Sequence, residues 1–83
     1  MADSSLSDTV AFITGAGSGL GAAFARRLAA DGARVIVNDM NADAASATAI
    51  DIGGETAIFD VCDSTSFDAE VDKAVERHGR LDI

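Results

Sequence analysis

The chain has 83 residues, 48% of them hydrophobic and 24% charged, and a formal net charge of −8. This suits one folded domain, or part of one, and not a disordered chain. Six basic residues, with only Arg26 and Arg27 adjacent, exclude the clustered cations of a nucleic-acid footprint, and one cysteine, Cys62, excludes an intramolecular disulfide and a cysteine zinc site.

Residues 1–8, MADSSLSD, lack the basic and apolar stretches of a secretory signal and are expected to form a polar tail before a single unit over 9–83. No apolar run approaches the ~20 residues that span a bilayer, so a cytoplasmic protein with no membrane partner is expected. Thr9 to Thr14, TVAFIT, has the apolar, β-branched character of a buried parallel strand. From Leu20 to Ala30 a helix is predicted, with Leu20, Phe24 and Leu28 recurring on one face, Arg26 and Arg27 on a solvated one, and Gly32 at its left-handed end. Ala33 to Asp39, ARVIVND, predicts a second strand covered on both faces.

An alanine-rich helix follows from Asn41 or Ala42 to Ile52, its inner face Ala45, Ala49 and Ile52, with Gly53-Gly54 breaking it. Glu55 to Val61 predicts a third strand, and Cys62 after it is expected to be a small half-buried packing residue. Asp63 or Ser64 opens a third helix with an inner face of Phe67, Val71 and Val75, closed by Gly79. His78, in its last turn, is expected to be structural. Leu81-Asp82-Ile83 predicts the start of a fourth strand. This alternation implies an α/β fold, a partial Rossmann fold with a parallel sheet in strand order 3-2-1. With the fourth strand only begun, the first strand is expected to keep an open edge.

Between the first strand and first helix lies Thr14-Gly15-Ala16-Gly17-Ser18-Gly19-Leu20-Gly21. Glycines let a backbone turn tightly and approach a phosphate, and a helix N-terminus adds unpaired amides and about half a positive charge. Asp39 follows Gly19 by twenty residues, at the carboxyl end of the second strand. There a carboxylate can accept hydrogen bonds from both adenosine ribose hydroxyls, whereas a 2′-phosphate would meet like charge with no Arg or Lys beside it. NAD is therefore expected over NADP. The alternative is that Asp39 caps the next helix, a role Asn38 and Asn41 could also fill.

The spacing T-G-x-x-x-G-x-G, formed by Thr14, Gly15, Gly19 and Gly21, resembles the coenzyme motif of the classical short-chain dehydrogenases/reductases. The extended branch of that family has glycine where Ser18 stands, and the commoner G-x-G-x-x-G pattern counted from Gly15 fails at Leu20. Asp39, Asp60-Val61 and Gly79-Arg80-Leu81-Asp82-Ile83 also resemble the family, so the likeness covers Thr9 to Ile83. It implies that Gly15, Gly17, Ser18, Gly19 and Leu20 line the diphosphate and nicotinamide side of the cofactor, and that Gly21 permits close helix packing. Asp60 would hold the adenine amino group, with Val61 bounding the ring; as a bare carboxylate, Asp60 could equally cap the third helix.

The resemblance further implies an oxidoreductase acting on a hydroxyl or carbonyl group in a homo-oligomeric parent enzyme. Its Asn-Ala-Gly segment, serine and Tyr-x-x-x-Lys pair have no counterpart here: the chain contains no tyrosine and one lysine, Lys73. No catalytic residue and no metal ligand is expected in this chain, which by itself should be inactive. The competing reading is a non-catalytic nucleotide-binding module or a decayed gene fragment. A purely structural acidic protein is disfavoured, because nothing structural demands four glycines between Gly15 and Gly21.

Overall fold

In the computed structural model, which describes residues 6–83, strands and helices alternate as β1 (Val10–Ile13), α1 (Gly19–Ala30), β2 (Arg34–Asp39), α2 (Ala42–Ile52), β3 (Glu55–Ile58) and α3 (Ser64–His78). The strands form one parallel sheet with β2 between β1 and β3, the predicted order. Val10 lies opposite Arg34 and Ile13 opposite Val37, while Ile36 faces Glu55 and Asp39 faces Ile58. Parallel neighbours need a crossover, and α1 and α2 supply the two.

Successive strand residues point to opposite faces of a sheet. Val35 and Val37 accordingly join one apolar cluster with Ala11, Ala25, Ala45 and Ala49, under α1 and α2. Ile36 joins another with Val10, Ala57 and Ala74, under α3. On that second side Phe12, Phe59 and Phe67 meet with ring centroids 6.0 to 6.2 Å apart. Both faces of β2 are thus covered, which is why its sequence is contiguously apolar and not alternating.

The one buried polar residue in the strands is Asn38, whose Nδ2 donates to the carbonyls of Ala57 (2.9 Å) and Phe59 (3.1 Å). It ties the end of β2 to the end of β3. Residues 81–83 lie along the other edge of β1, where the Asp82 amide donates to Val10 O (2.9 Å) and the Phe12 amide to Ile83 O (2.8 Å). The Val10 amide donates to Asp82 Oδ2 at 2.9 Å. These residues form no regular strand, yet their hydrogen bonds engage the edge of β1 at Val10 and Phe12, which was expected to stay open.

Several expectations need correction. Of the stripe predicted for α1, Leu28 packs partly buried on the first cluster, but Leu20 and Phe24 are turned outward, 72% and 55% exposed, and Ala22 and Ala25 are buried instead. The helix backbone lies so near the preceding loop that a Cβ on Gly21 would collide with the Gly15 carbonyl oxygen. Only small side chains fit at that approach, and Leu20 and Phe24 face away. On α3 the buried residue is Ala74, with Phe67 and Val71 partly buried beside it, and Val75 is exposed. β3 stops at Ile58, short of Val61, because its ladder partner β2 ends at Asp39 opposite Ile58. Cys62 is exposed in the turn that follows.

Of the tail over 1–8, residues 1–5 lie outside the described residues; the Leu6 amide donates to Asp31 O at 3.0 Å and Leu6 packs on the first cluster. Arg26 and Arg27 make exposed ion pairs with Asp51 and Asp31, both at 3.2 Å. His78 Nε2 lies 2.5 Å from Glu55 Oε2, a contact without hydrogen-bond geometry that joins the end of α3 to the start of β3. Among the described residues no helix is long and apolar enough to cross a membrane.

Helices α2 and α3 carry their own N-caps: Asn41 Oδ1 accepts from the Ala44 amide at 3.0 Å, and Asp63 Oδ1 from the Ser66 amide at 3.2 Å. Asp63 Oδ2 also accepts from the Ser66 hydroxyl at 2.8 Å.

Two outcomes are expected. Asn38→Ala strands two carbonyls at the end of β3 and should lower stability by about 1–3 kcal/mol, read as a lower urea midpoint; an unchanged midpoint would contradict the tie. The Ser66 hydroxyl, and then its amide, hold the Asp63 carboxyl below its ordinary value of 3.8. Because the folded-state value is depressed, the cap is complete above pH 3.8 and is lost as pH falls through the lowered value. An NMR titration should place the Asp63 midpoint below 3.8 and move it upward in Ser66→Ala.

Candidate functional site

The loop between β1 and α1 is built around two left-handed glycines, Gly15 at φ +62° and Gly19 at φ +59°, a conformation that side chains with a Cβ strongly disfavour. Two contacts hold the loop against the carboxyl end of β2 and a third holds it against α2. The amide of buried Ala16 donates to Asn38 O at 2.8 Å. The Gly17 amide donates to Asp39 Oδ2 at 3.0 Å, and Gly17 O accepts from Thr48 Oγ1, on α2, at 3.3 Å.

Ser18 stands at the N-cap position of α1 in extended backbone, φ −158° and ψ 172°, yet its side chain makes no capping bond and the first turn contains no acid. Asn41 and Asp63 satisfy the starts of the other two helices, whereas the amides of Gly19, Leu20 and Gly21 have no side-chain partner among the described residues. Unpaired amides and the positive end of the helix dipole favour an anion at this point. Ser18, Gly19 and Leu20 are all exposed there.

Asp39 closes the other side of the same end. Its Oδ1 accepts from the Asn41 amide at 3.0 Å, so it braces the turn into α2 while Asn41 itself caps the helix. Each carboxylate oxygen has accepting capacity left after one backbone bond. A crevice of about 140 Å³ opens between Gly15, Asn38, Asp39, Met40, Phe59 and Val61, with no Lys or Arg in its lining. A larger hollow, about 230 Å³, is lined by Ser7, Asp8, Val10, Arg34, His78 and Arg80 where the strands begin, at the opposite end of the sheet from the glycine loop.

The structure thus brings Gly15, Gly17 and Asp39 together, with Ser18, Gly19, Leu20 and Gly21 at the adjoining helix start and Val61 across the crevice. Asp60 is exposed beside the crevice, its Oδ1 accepting from the Cys62 amide at 2.9 Å, and the cap of α3 that it might have formed is made by Asp63. Lys73 lies on α3, paired with Glu70 at 3.4 Å. Two residues of the site escape the sequence reading. Asn38 signals itself as a lone amide inside an apolar strand, and Thr48 as a polar residue on the stripe of Ala45, Ala49 and Ile52.

Residues 9–83 match the family profile described as short chain dehydrogenase. D-threitol dehydrogenase of Mycolicibacterium smegmatis is 41% identical over 86 aligned residues, which take in 98% of this chain and 33% of that protein. A metagenomic short-chain oxidoreductase in complex with NADP superposes with a TM-score of 0.89 at 38% identity, over 96% of this chain and 38% of that one. The 3-ketoacyl-(acyl-carrier-protein) reductase from Brucella melitensis, complexed with NADH, gives a TM-score of 0.87 at 36% identity, over 94% and 33% of the two chains. The chain spans about a third of the length of the curated relatives it matches. With its glycine loop, parallel sheet and strand-end acid arranged as described, the chain belongs to the short-chain dehydrogenase/reductase family of oxidoreductases.

Proposed function

We propose that this segment is the NAD-binding portion of an oxidoreductase that interconverts a hydroxyl and a carbonyl group, the acid/base and substrate groups belonging to the rest of the parent protein. The observation that carries the proposal is the hydrogen bond from the Gly17 amide to Asp39 Oδ2, which sets the acid against the glycine loop beside the uncapped start of α1. The diphosphate would sit on the amides of Gly19, Leu20 and Gly21, reached past Gly15 and Ser18. Asp39 would accept from the ribose hydroxyls, and the adenine would enter the crevice bounded by Met40 and Val61 with Asp60 near its amino group. When bound, NAD supplies the hydride acceptor or donor, and this chain orients it.

Related structures carry NADP in one case and NADH in another, which supports the nicotinamide class. The choice of NAD rests on Asp39: a 2′-phosphate would face its carboxylate in a crevice whose lining holds no cation. A cytoplasmic, homo-oligomeric parent enzyme remains part of the proposal. The segment alone has no tyrosine to pair with a lysine, and Lys73 is engaged with Glu70, so this chain by itself is proposed to be inactive. The same observation favours, as a second reading, a nucleotide-binding module without chemistry, distinguished by binding without turnover on any alcohol or ketone.

In the complete polypeptide that carries this segment, Asp39→Arg should weaken NAD binding about tenfold or more, as charge-assisted hydrogen bonds worth about 1.5–3 kcal/mol each are lost, and strengthen NADP binding. Titration with both nucleotides measures this, and unchanged NAD affinity would refute the role of Asp39.

A further inference from the structure

Thr48 is 1% exposed in the middle of α2. A helical threonine ordinarily returns its hydroxyl to a carbonyl of its own preceding turn. This hydroxyl instead leaves the helix and donates to Gly17 O, 31 residues away, at 3.3 Å. The same glycine's amide donates to Asp39 Oδ2 at 3.0 Å. The Gly17 residue is therefore held from both ends, by α2 through its carbonyl and by the tip of β2 through its amide.

Gly17 is not in left-handed backbone, so its conformation does not require glycine. Space does. A Cβ there would lie 2.7 Å from Asp39 Oδ2 and 2.8 Å from the Ala44 Cβ, nearer than real Cβ contacts come. Any side chain at this position must displace both the carboxylate and the Ala44 methyl group. With the Asn41 amide on Oδ1 and the Gly17 amide on Oδ2, the carboxylate has one orientation, its remaining lone pairs free for other donors.

From this arrangement we infer that Thr48 is a positioning residue and Gly17 a selectivity residue. Together they clamp the Asp39 carboxylate in the orientation that accepts ribose hydroxyls and opposes a 2′-phosphate. The inference rests on the nucleotide-binding reading above and deepens it. Thr48 acts only through the Gly17 peptide, and Gly17 acts by leaving room for the carboxylate.

The test is fluorescence titration of the complete polypeptide with NADH and NADPH, read as the ratio of the two affinities. Thr48→Val removes one neutral hydrogen bond, and the preference for NADH should fall about threefold to tenfold, with Thr48→Ser restoring it. Gly17→Ala should lower the ratio at least about tenfold, and in an Asp39→Ala background the same change should alter it less than about twofold, since the carboxylate is gone and the remaining crowding against Ala44 bears on both nucleotides alike. Should Thr48→Val fail to fold, Gly17→Ala and the double variant decide. Equal weakening of both nucleotides, or none, in Gly17→Ala, while Asp39→Ala abolishes the preference, would overturn the clamp and leave the NAD reading standing. No change of the ratio in Asp39→Ala would overturn both.

Discussion

The hydrogen bond between the Gly17 amide and the Asp39 carboxylate joins the two sequence features on which the carboxyl end of this sheet is organised. It requires β1 and β2 to be parallel neighbours in their observed register, since only then does the loop leaving Ile13 reach the residue that ends β2. α2 lies close beside Gly17, with Thr48 bonded to its carbonyl and the small Ala44 against it. The fold thereby places a negative acceptor next to a helix start that presents unpaired donors. An extended ligand with an anionic middle and a hydroxyl-bearing end matches that sequence of groups.

The same economy of space governs the packing. α1 approaches the loop at Gly21 and buries Ala22 and Ala25, so its closest approach is made of small residues while the other face of the sheet carries three phenylalanines. Asn38 spans these two demands: its side chain belongs to the α3 side, where it fastens the end of β3, and its carbonyl receives the Ala16 amide of the loop. One residue thus links the wall of the crevice to the glycine turn.

Element order and parallel topology were legible in the alternation of apolar runs and glycine breaks, whereas the edge of β1, expected to stay open, is engaged by residues 81–83. The facing of the helices was not legible either. Leu20 and Phe24 obey helical spacing as well as Ala22 and Ala25 do, and periodicity cannot say which of two stripes meets the sheet when one is large and the other small. Backbone closeness decides it, and Gly21 was the available sign. The closeness of the glycine loop to Asp39 was legible because their spacing encodes a known physical arrangement. Thr48 was hidden because its partner lies far along the chain, and such a contact exists only once α2 has been placed.

The central claim is that the uncapped start of α1 receives the diphosphate of NAD. Amide NMR of the complete polypeptide during titration with NAD measures it most directly. The account predicts saturable shifts at Gly19, Leu20 and Gly21, with the capped starts of α2 and α3, read at Ala44 and Ser66, moving far less. Shifts confined to other regions, or none at these three amides at saturation, would contradict it.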